Sequence, residues 1–207
     1  MINNYWGSAE EKKRNLFEST SERQNAGSED FNAVESVDNR IYFYSGVTRP
    51  KILKLNKTIH SLNKSMLRSQ VNGYKPPPIE LYINSYGGSV FAGLAAIDYI
   101  KNSTIPVETI IDGCAASAAT MMSVVGSHRK MHRHACMLIH QLSGGMWGKF
   151  SEMKDEMENS EMLMKKIKGI YEEHAKIPKK FLDEILTHDL WWEAETCLKY
   201  GLIDEIV

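Results

Sequence analysis

Apolar and polar positions change their spacing several times along this chain, and each change marks an element. Residues 1–39 hold no sustained period: Glu10, Glu11, Lys12, Lys13 and Arg14 precede a Ser/Asn/Glu-rich stretch, and large apolar side chains such as Leu16, Phe17 and Phe31 are few. So little apolar surface cannot offset the entropy of ordering. Residues 1–39 are therefore expected as a polar N-terminal arm, partly disordered, with a short helix near residues 9–18. The first dense run, Arg40-Ile41-Tyr42-Phe43-Tyr44-Ser45-Gly46, predicts a strand closed by a turn, so the folded domain is expected over 40–207.

From there the period alternates. Residues 51–71 suit a helix, broken by Gly73 through Pro78; Ile79–Ser85 suits a strand, and Gly87-Gly88-Ser89 a turn. A second helix is expected over about 90–102, carrying Phe91, Leu94, Ala95 and Tyr99, then a strand from Pro106 to Asp112, then a helix opened by the Ser117 segment. Strand, turn and helix in repetition predict a parallel sheet with helical crossovers. Ligands and catalysis belong at the loops beyond the carboxyl ends of such strands, where the Gly87-Gly88 and Ser117 turns fall.

Between about 149 and 175, Met153, Met157, Ser160, Met164, Ile167 and Tyr171 recur at steps of four, three, four, three and four. That spacing draws one stripe down a long helix whose opposite positions are Glu and Lys. The stripe packs either on the protein's own core or on another copy, and its methionines suit an adaptable interface.

Bulk properties narrow the picture. A length of 207 residues suits one well-filled domain. With 43% hydrophobic and 25% charged residues the composition is that of a globular protein, and a net charge of -1 gives no pull toward nucleic acid or an anionic membrane surface. No apolar run approaches the ~18 residues a bilayer span needs, and Met1 to Trp6 lacks the basic region and apolar core of a signal peptide. Cys114, Cys136 and Cys197 lie far apart with no CxxC pair. Sparse, odd cysteines read as reduced thiols, and a cytoplasmic location is expected.

Candidate chemistry centres on Gly113-Cys114-Ala115-Ala116-Ser117-Ala118-Ala119, one serine among side chains too small to crowd it. The run reads as a tightly packed helix start or as an accessible nucleophile; the second reading needs a base, an orienter and oxyanion donors. Cys114 is a rival nucleophile, though a small buried cysteine is usually packing. His140 ends the apolar run Met137-Leu138-Ile139 before a Ser143-Gly144-Gly145 turn, so it leaves the core at an edge, as a base or as a structural histidine. His128, His132 and His134 sit in a strongly basic run without a completing carboxylate or cysteine. That context disfavours a metal, so the run is expected as a solvated loop, with no metal and no cofactor. Asp189 precedes Leu190-Trp191-Trp192, whose rings can shield it from water, where a carboxylate best holds an imidazolium; a surface aspartate before a strand is the plainer reading. Gly87-Gly88 permits the close main-chain approach an oxyanion donor needs, though such a turn alone is weak.

Together these pieces resemble the Clp protease proteolytic subunit family. Leu81-Tyr82-Ile83-Asn84-Ser85-Tyr86-Gly87-Gly88 is similar to its "YINSPGG", Gly113 to Ala119 to its "GxAASMA", and Met137 to Gln141 to its "MIHQ". Asp189, Trp191, Ala194, Glu195 and Tyr200-Gly201-Leu202-Ile203-Asp204 resemble its C-terminal "RDxxxSAxEAxEYGLID" block. The resemblance covers all but residues 1–39. It implies an α/β fold, a spiral of βαβ units of the Clp-protease and crotonase kind with a projecting long handle helix. It further implies Ser117 as nucleophile, His140 as general base, Asp189 as orienter, and the Gly88 and Ala118 N–H groups as oxyanion hole. Gly87, Val90 and Ser143 would line the path of an extended peptide. The handle would join heptameric rings of a homo-oligomer, one ring or two. With no phosphate-binding loop in the chain, ATP would be used by a separate Clp-type AAA+ unfoldase. The family's axial-loop pattern, which meets that partner, is not found in residues 1–39. Tyr86 and Leu142 stand where the family has prolines, Ala118 where it has methionine, and the Ser117-to-His140 connection looks about two residues shorter.

The implied activity is hydrolysis of peptide bonds in unfolded proteins or short peptides through an acyl-enzyme. Three rivals stand beside it. An acyl-CoA enzyme of the crotonase type has no use for a Ser–His–Asp set. A catalytically silent ring subunit would be expected to lack a triad member. A narrow-specificity processing protease working without an ATPase is kept open by the unusual N-terminus.

Overall fold

Alternation of burial along the strands decides which face of the sheet is covered. In the computed structural model, which describes residues 34–69 and 75–207, strand β3 (Ile79–Ser85) buries Ile79, Leu81, Ile83 and Ser85 while Glu80, Tyr82 and Asn84 remain partly exposed. Helix α1 (Arg49–Arg68) buries Ile52, Leu55 and Ile59 and joins the same apolar core as Ala92, Ala96, Ile97 and Ile100 of helix α2 (Val90–Lys101). Pro50 starts α1 where its missing N–H costs nothing, and the Ser89 side chain caps α2 by accepting from the Ala92 N–H.

The sheet begins earlier than expected. Strand β1 (Val34–Val37) pairs antiparallel with β2 (Arg40–Tyr44) through a turn at Asp38, so residues 34–39, expected in the arm, belong to the sheet edge. Four residues with only Val34 buried are too few to announce a strand by period. The expected helix at 9–18 and the rest of the arm to residue 33 lie outside the described residues, as does the break at Gly73.

From β2 the sheet runs parallel through β3 to β4 (Val107–Ala116), and there its edge divides. The first half of β4 pairs with β5 (Arg129–Met131), which carries β8 (Glu205–Ile206). Its last residues, Cys114 to Ala116, pair instead with β6 (Cys136–Leu138), which carries β7 (Trp191–Glu193) antiparallel. The change of partner coincides with a register shift against β3 between Ile83 and Ser85 and with Gly113 at φ 89°. A bulge bends its strand and re-aims the residues beyond it, and here it sends β4 alongside β6.

The basic run around residue 130 is not the solvated loop expected. It contains β5, with Met131 fully buried, because its charges meet carboxylates brought by other strands: Lys130 on Glu108, His132 on Asp112 and His128 on Glu205.

After β6 comes α4 (Phe150–His174), opened by the Glu152 carboxylate accepting from the Lys149 N–H. Residues Phe150 to Asn159 are exposed all round, and only Leu163, Ile167 and Tyr171 are buried. At 1.5 Å per residue, the bare part projects roughly 15 Å. The stripe thus divides: its C-terminal half packs on the protein's own core, and its N-terminal half stands clear of it. Helices α5 (Lys179–Ile185) and α6 (Ala194–Lys199) complete the chain. Among the described residues no helix is long and apolar enough to cross a membrane.

Candidate active site

Ser117 is the residue at which β4 becomes helix α3 (Ala118–Val124). Its backbone sits at φ 54°, ψ −125°, a conformation that residues with a Cβ rarely adopt. Three bonds hold it there. Its N–H donates to the Leu138 carbonyl at 2.9 Å, and its own carbonyl accepts from the Thr120 N–H at 3.0 Å and the Thr120 Oγ1 at 2.6 Å. A tight strand-to-helix turn of this kind raises a hydroxyl clear of the sheet edge.

The Gly87-Gly88 turn lies against it. A Cβ on Gly87 would come within 2.6 Å of the Ala116 carbonyl and of Ser117 Cβ, and one on Gly88 within 2.5 Å of the Val47 carbonyl. Both glycines are thus required by close approach as well as by positive φ. Val47 forms a parallel bridge with Gly88, donating to the Gly87 carbonyl at 2.7 Å and accepting from the Ser89 N–H at 2.8 Å. In that pairing the N–H of Gly88 itself points away from Val47, on the side of the Ser117 turn. The Ala118 N–H begins α3, where the first helical amides have no partner within the helix.

The register Ala116↔Leu138 sets His140 just beyond Ser117's neighbour on β6. His140 is largely covered, and its Nδ1 stands 3.2 Å from Asp189 Oδ1. A contact through Nδ1 leaves Nε2 as the ring nitrogen available to a proton. Of the two readings of Asp189, the surface one holds: its side chain is 70% exposed. The tryptophans that could have covered it pack elsewhere, Trp191 edge-on to Tyr86 and Trp192 against Phe181 and Tyr200.

Ser117, His140, Gly88, Ala118, Val90 and Ser143 line one small cavity. Among the described residues no hydrogen bond joins the Ser117 hydroxyl to the His140 ring; such contacts commonly tighten only with substrate bound. Gly87 sits behind the Ser117 turn, and the lining begins at Gly88. From its mouth a groove of about 1030 Å³ continues along α4, sharing Gly88, Val90 and Ser143 with the cavity. The Cys114 thiol is pushed up by burial, and since only the thiolate attacks, it is a poor rival to the serine.

Sequence reasoning missed the inner wall. Tyr171, on α4, is fully buried, and burial pushes its phenol pKa up. Its hydroxyl pairs with that of Thr120, which in turn donates to the Ser117 carbonyl. The available signal was a polar-tipped aromatic in an apolar stripe, since a buried tyrosine requires a partner for its O–H.

A family model described as Clp protease matches residues 42–207. An ATP-dependent Clp protease proteolytic subunit from Bacteroides fragilis (strain ATCC 25285) is 31% identical over 172 residues, 79% of this chain and 82% of its own. Its counterpart from Porphyromonas gingivalis is 29% identical over 170 residues, 79% of this chain and 77% of its own. Among solved structures, a ClpP1 variant from Listeria monocytogenes matches with a TM-score of 0.68 at 21% identity, covering 79% of this chain and 87% of that one. That likeness carries the fold, the expected α/β spiral.

Proposed function

Since this chain belongs to the Clp protease family, we propose that it is a serine endopeptidase working through Ser117, His140 and Asp189. One observation carries the reading: the serine and the histidine, the latter 3.2 Å from Asp189, line a single cavity with Gly88 and Ala118. Ser117 Oγ attacks the scissile carbonyl while His140 Nε2 takes its proton. The carbonyl oxygen becomes an oxyanion held by the Gly88 and Ala118 N–H groups. His140, steadied by Asp189, returns the proton to the leaving amine. Water then repeats the sequence on the acyl-enzyme and frees the acid. The substrate lies extended, adding a strand between the Gly88–Val90 edge and the Ser143 segment.

Assembly belongs to the same proposal. The protein works as a homo-oligomer of heptameric rings, one or two, through the bare part of α4, where Phe150, Met153 and Met157 are exposed. A Clp-type AAA+ unfoldase would supply ATP-driven unfolding, as the relatives' description as ATP-dependent suggests. Free Cys114, Cys136 and Cys197 suit a cytoplasmic enzyme.

Ser117→Ala tests the core of the reading. Hydrolysis of fluorogenic peptides should fall by roughly 10⁴-fold or more, with native mass unchanged, because the hydroxyl is no packing group. Wild-type rates in the mutant would end the proposal.

A further inference from the structure

We propose that Tyr171 restricts this site to substrates with a small side chain, alanine or serine in size, at the residue whose carbonyl is attacked. The inference rests on the peptidase reading above and specifies its substrate. The cavity beside Ser117 has a volume of about 50 Å³, and its inner wall is Met121, Ile167 and Tyr171. A dry apolar cavity of roughly 150 Å³ takes a benzene ring. At a third of that, this one excludes phenylalanine and tyrosine, and a branched leucine would have to displace its wall.

The wall does not yield easily. Met121 and Tyr171 are 2% exposed and Ile167 5%, all within the main core cluster or fully packed against it. Overpacking such a core forces off-rotamer side chains and backbone shifts. Tyr171 is further pinned by its tip, because its hydroxyl pairs with Thr120 Oγ1, itself bonded to the carbonyl of Ser117. Swinging the ring aside to admit a larger group would break a buried hydrogen bond and loosen the turn that carries the nucleophile. The wide groove along α4 lies outside this pocket, so the restriction applies to one residue of the substrate and leaves its neighbours free.

The test compares full-length protein on fluorogenic peptides that differ only in alanine, leucine or phenylalanine at the scissile residue. Wild type should favour alanine over leucine by about tenfold or more in kcat/KM. Tyr171→Ala should bring leucine level with or above alanine. Ile167→Ala opens the same pocket from the other wall, and serves should Tyr171→Ala fail to fold. Wild-type cleavage of the leucine or phenylalanine peptide as fast as the alanine peptide overturns the pocket assignment alone. Failure to cleave any peptide, with no labelling of Ser117 by a fluorophosphonate, overturns the peptidase reading and this inference with it.

Discussion

At the scale of single residues, the position of Ser117 is held by contacts that tolerate no extra atom. Ser117 sits at a positive φ, and Gly87 is pressed so closely behind it that a methyl group would meet both the Ala116 carbonyl and Ser117 Cβ at 2.6 Å. Gly87→Ala combines steric overlap with an unfavourable φ, and should cost roughly 2–3 kcal/mol while displacing Ser117. Urea unfolding beside peptide hydrolysis would check this; an unchanged midpoint with full activity would mean the turn relaxes freely. Ser117, His140 and the glycine turn were legible in the sequence because each sits in a short local pattern. Asp189 was legible by its motif but not by its setting, since whether tryptophans cover a carboxylate depends on which rings they pack against, here Tyr86 for Trp191 and Phe181 and Tyr200 for Trp192. Thr120 and Tyr171, 51 residues apart, form a pair that no local pattern announces.

At the scale of elements, the long helix shows how one period can serve two surfaces. Leu163, Ile167 and Tyr171 bind α4 to the core, while Met153 and Met157 are 39% and 51% exposed. Met164 belongs to the first group, because its Sδ accepts from the Leu142 N–H beside the cavity. Charges placed at Met153 and Met157 should therefore split the assembly and leave the pocket intact. Native mass of the Met153→Glu, Met157→Glu double variant should drop to that of single rings or smaller species; a mass equal to wild type would place the contact elsewhere. The periods of α1, α2, β3 and α4 were readable because each repeats several times. Strands β5, β7 and β8 were not, since runs of two or three residues have no period and owe their pairing to neighbours already in place.

Across the whole molecule, one arginine adds to the strand pairing that fastens the C-terminal segment. Arg129 on β5 reaches both carboxylate oxygens of Asp204 and also donates to the carbonyls of His174 and Gly201. Hydrogen bonding from Arg129 holds the Asp204 carboxyl below the usual range. A depressed folded-state pKa contributes stability that is present above the unfolded value, near 3.9, and is lost as pH falls through the folded one. Unfolding free energy should thus decline below about pH 4. Arg129→Met should lower it by about 1–3 kcal/mol at neutral pH and flatten the acid decline. Equal acid slopes for both proteins would show that the clamp contributes nothing.

The late place of β7 and β8 in the chain also sets when the candidate site is completed. Ser117 and His140 lie just beyond the ends of β4 and β6, which pair with each other, but Asp189 arrives with the segment that adds β7 to β6, and β8 and Asp204 close on β5 only with the last residues. During synthesis Ser117 and His140 are in place in the chain well before Asp189 is made. On the peptidase reading proposed above, the growing chain lacks a complete triad until residue 189 has been made.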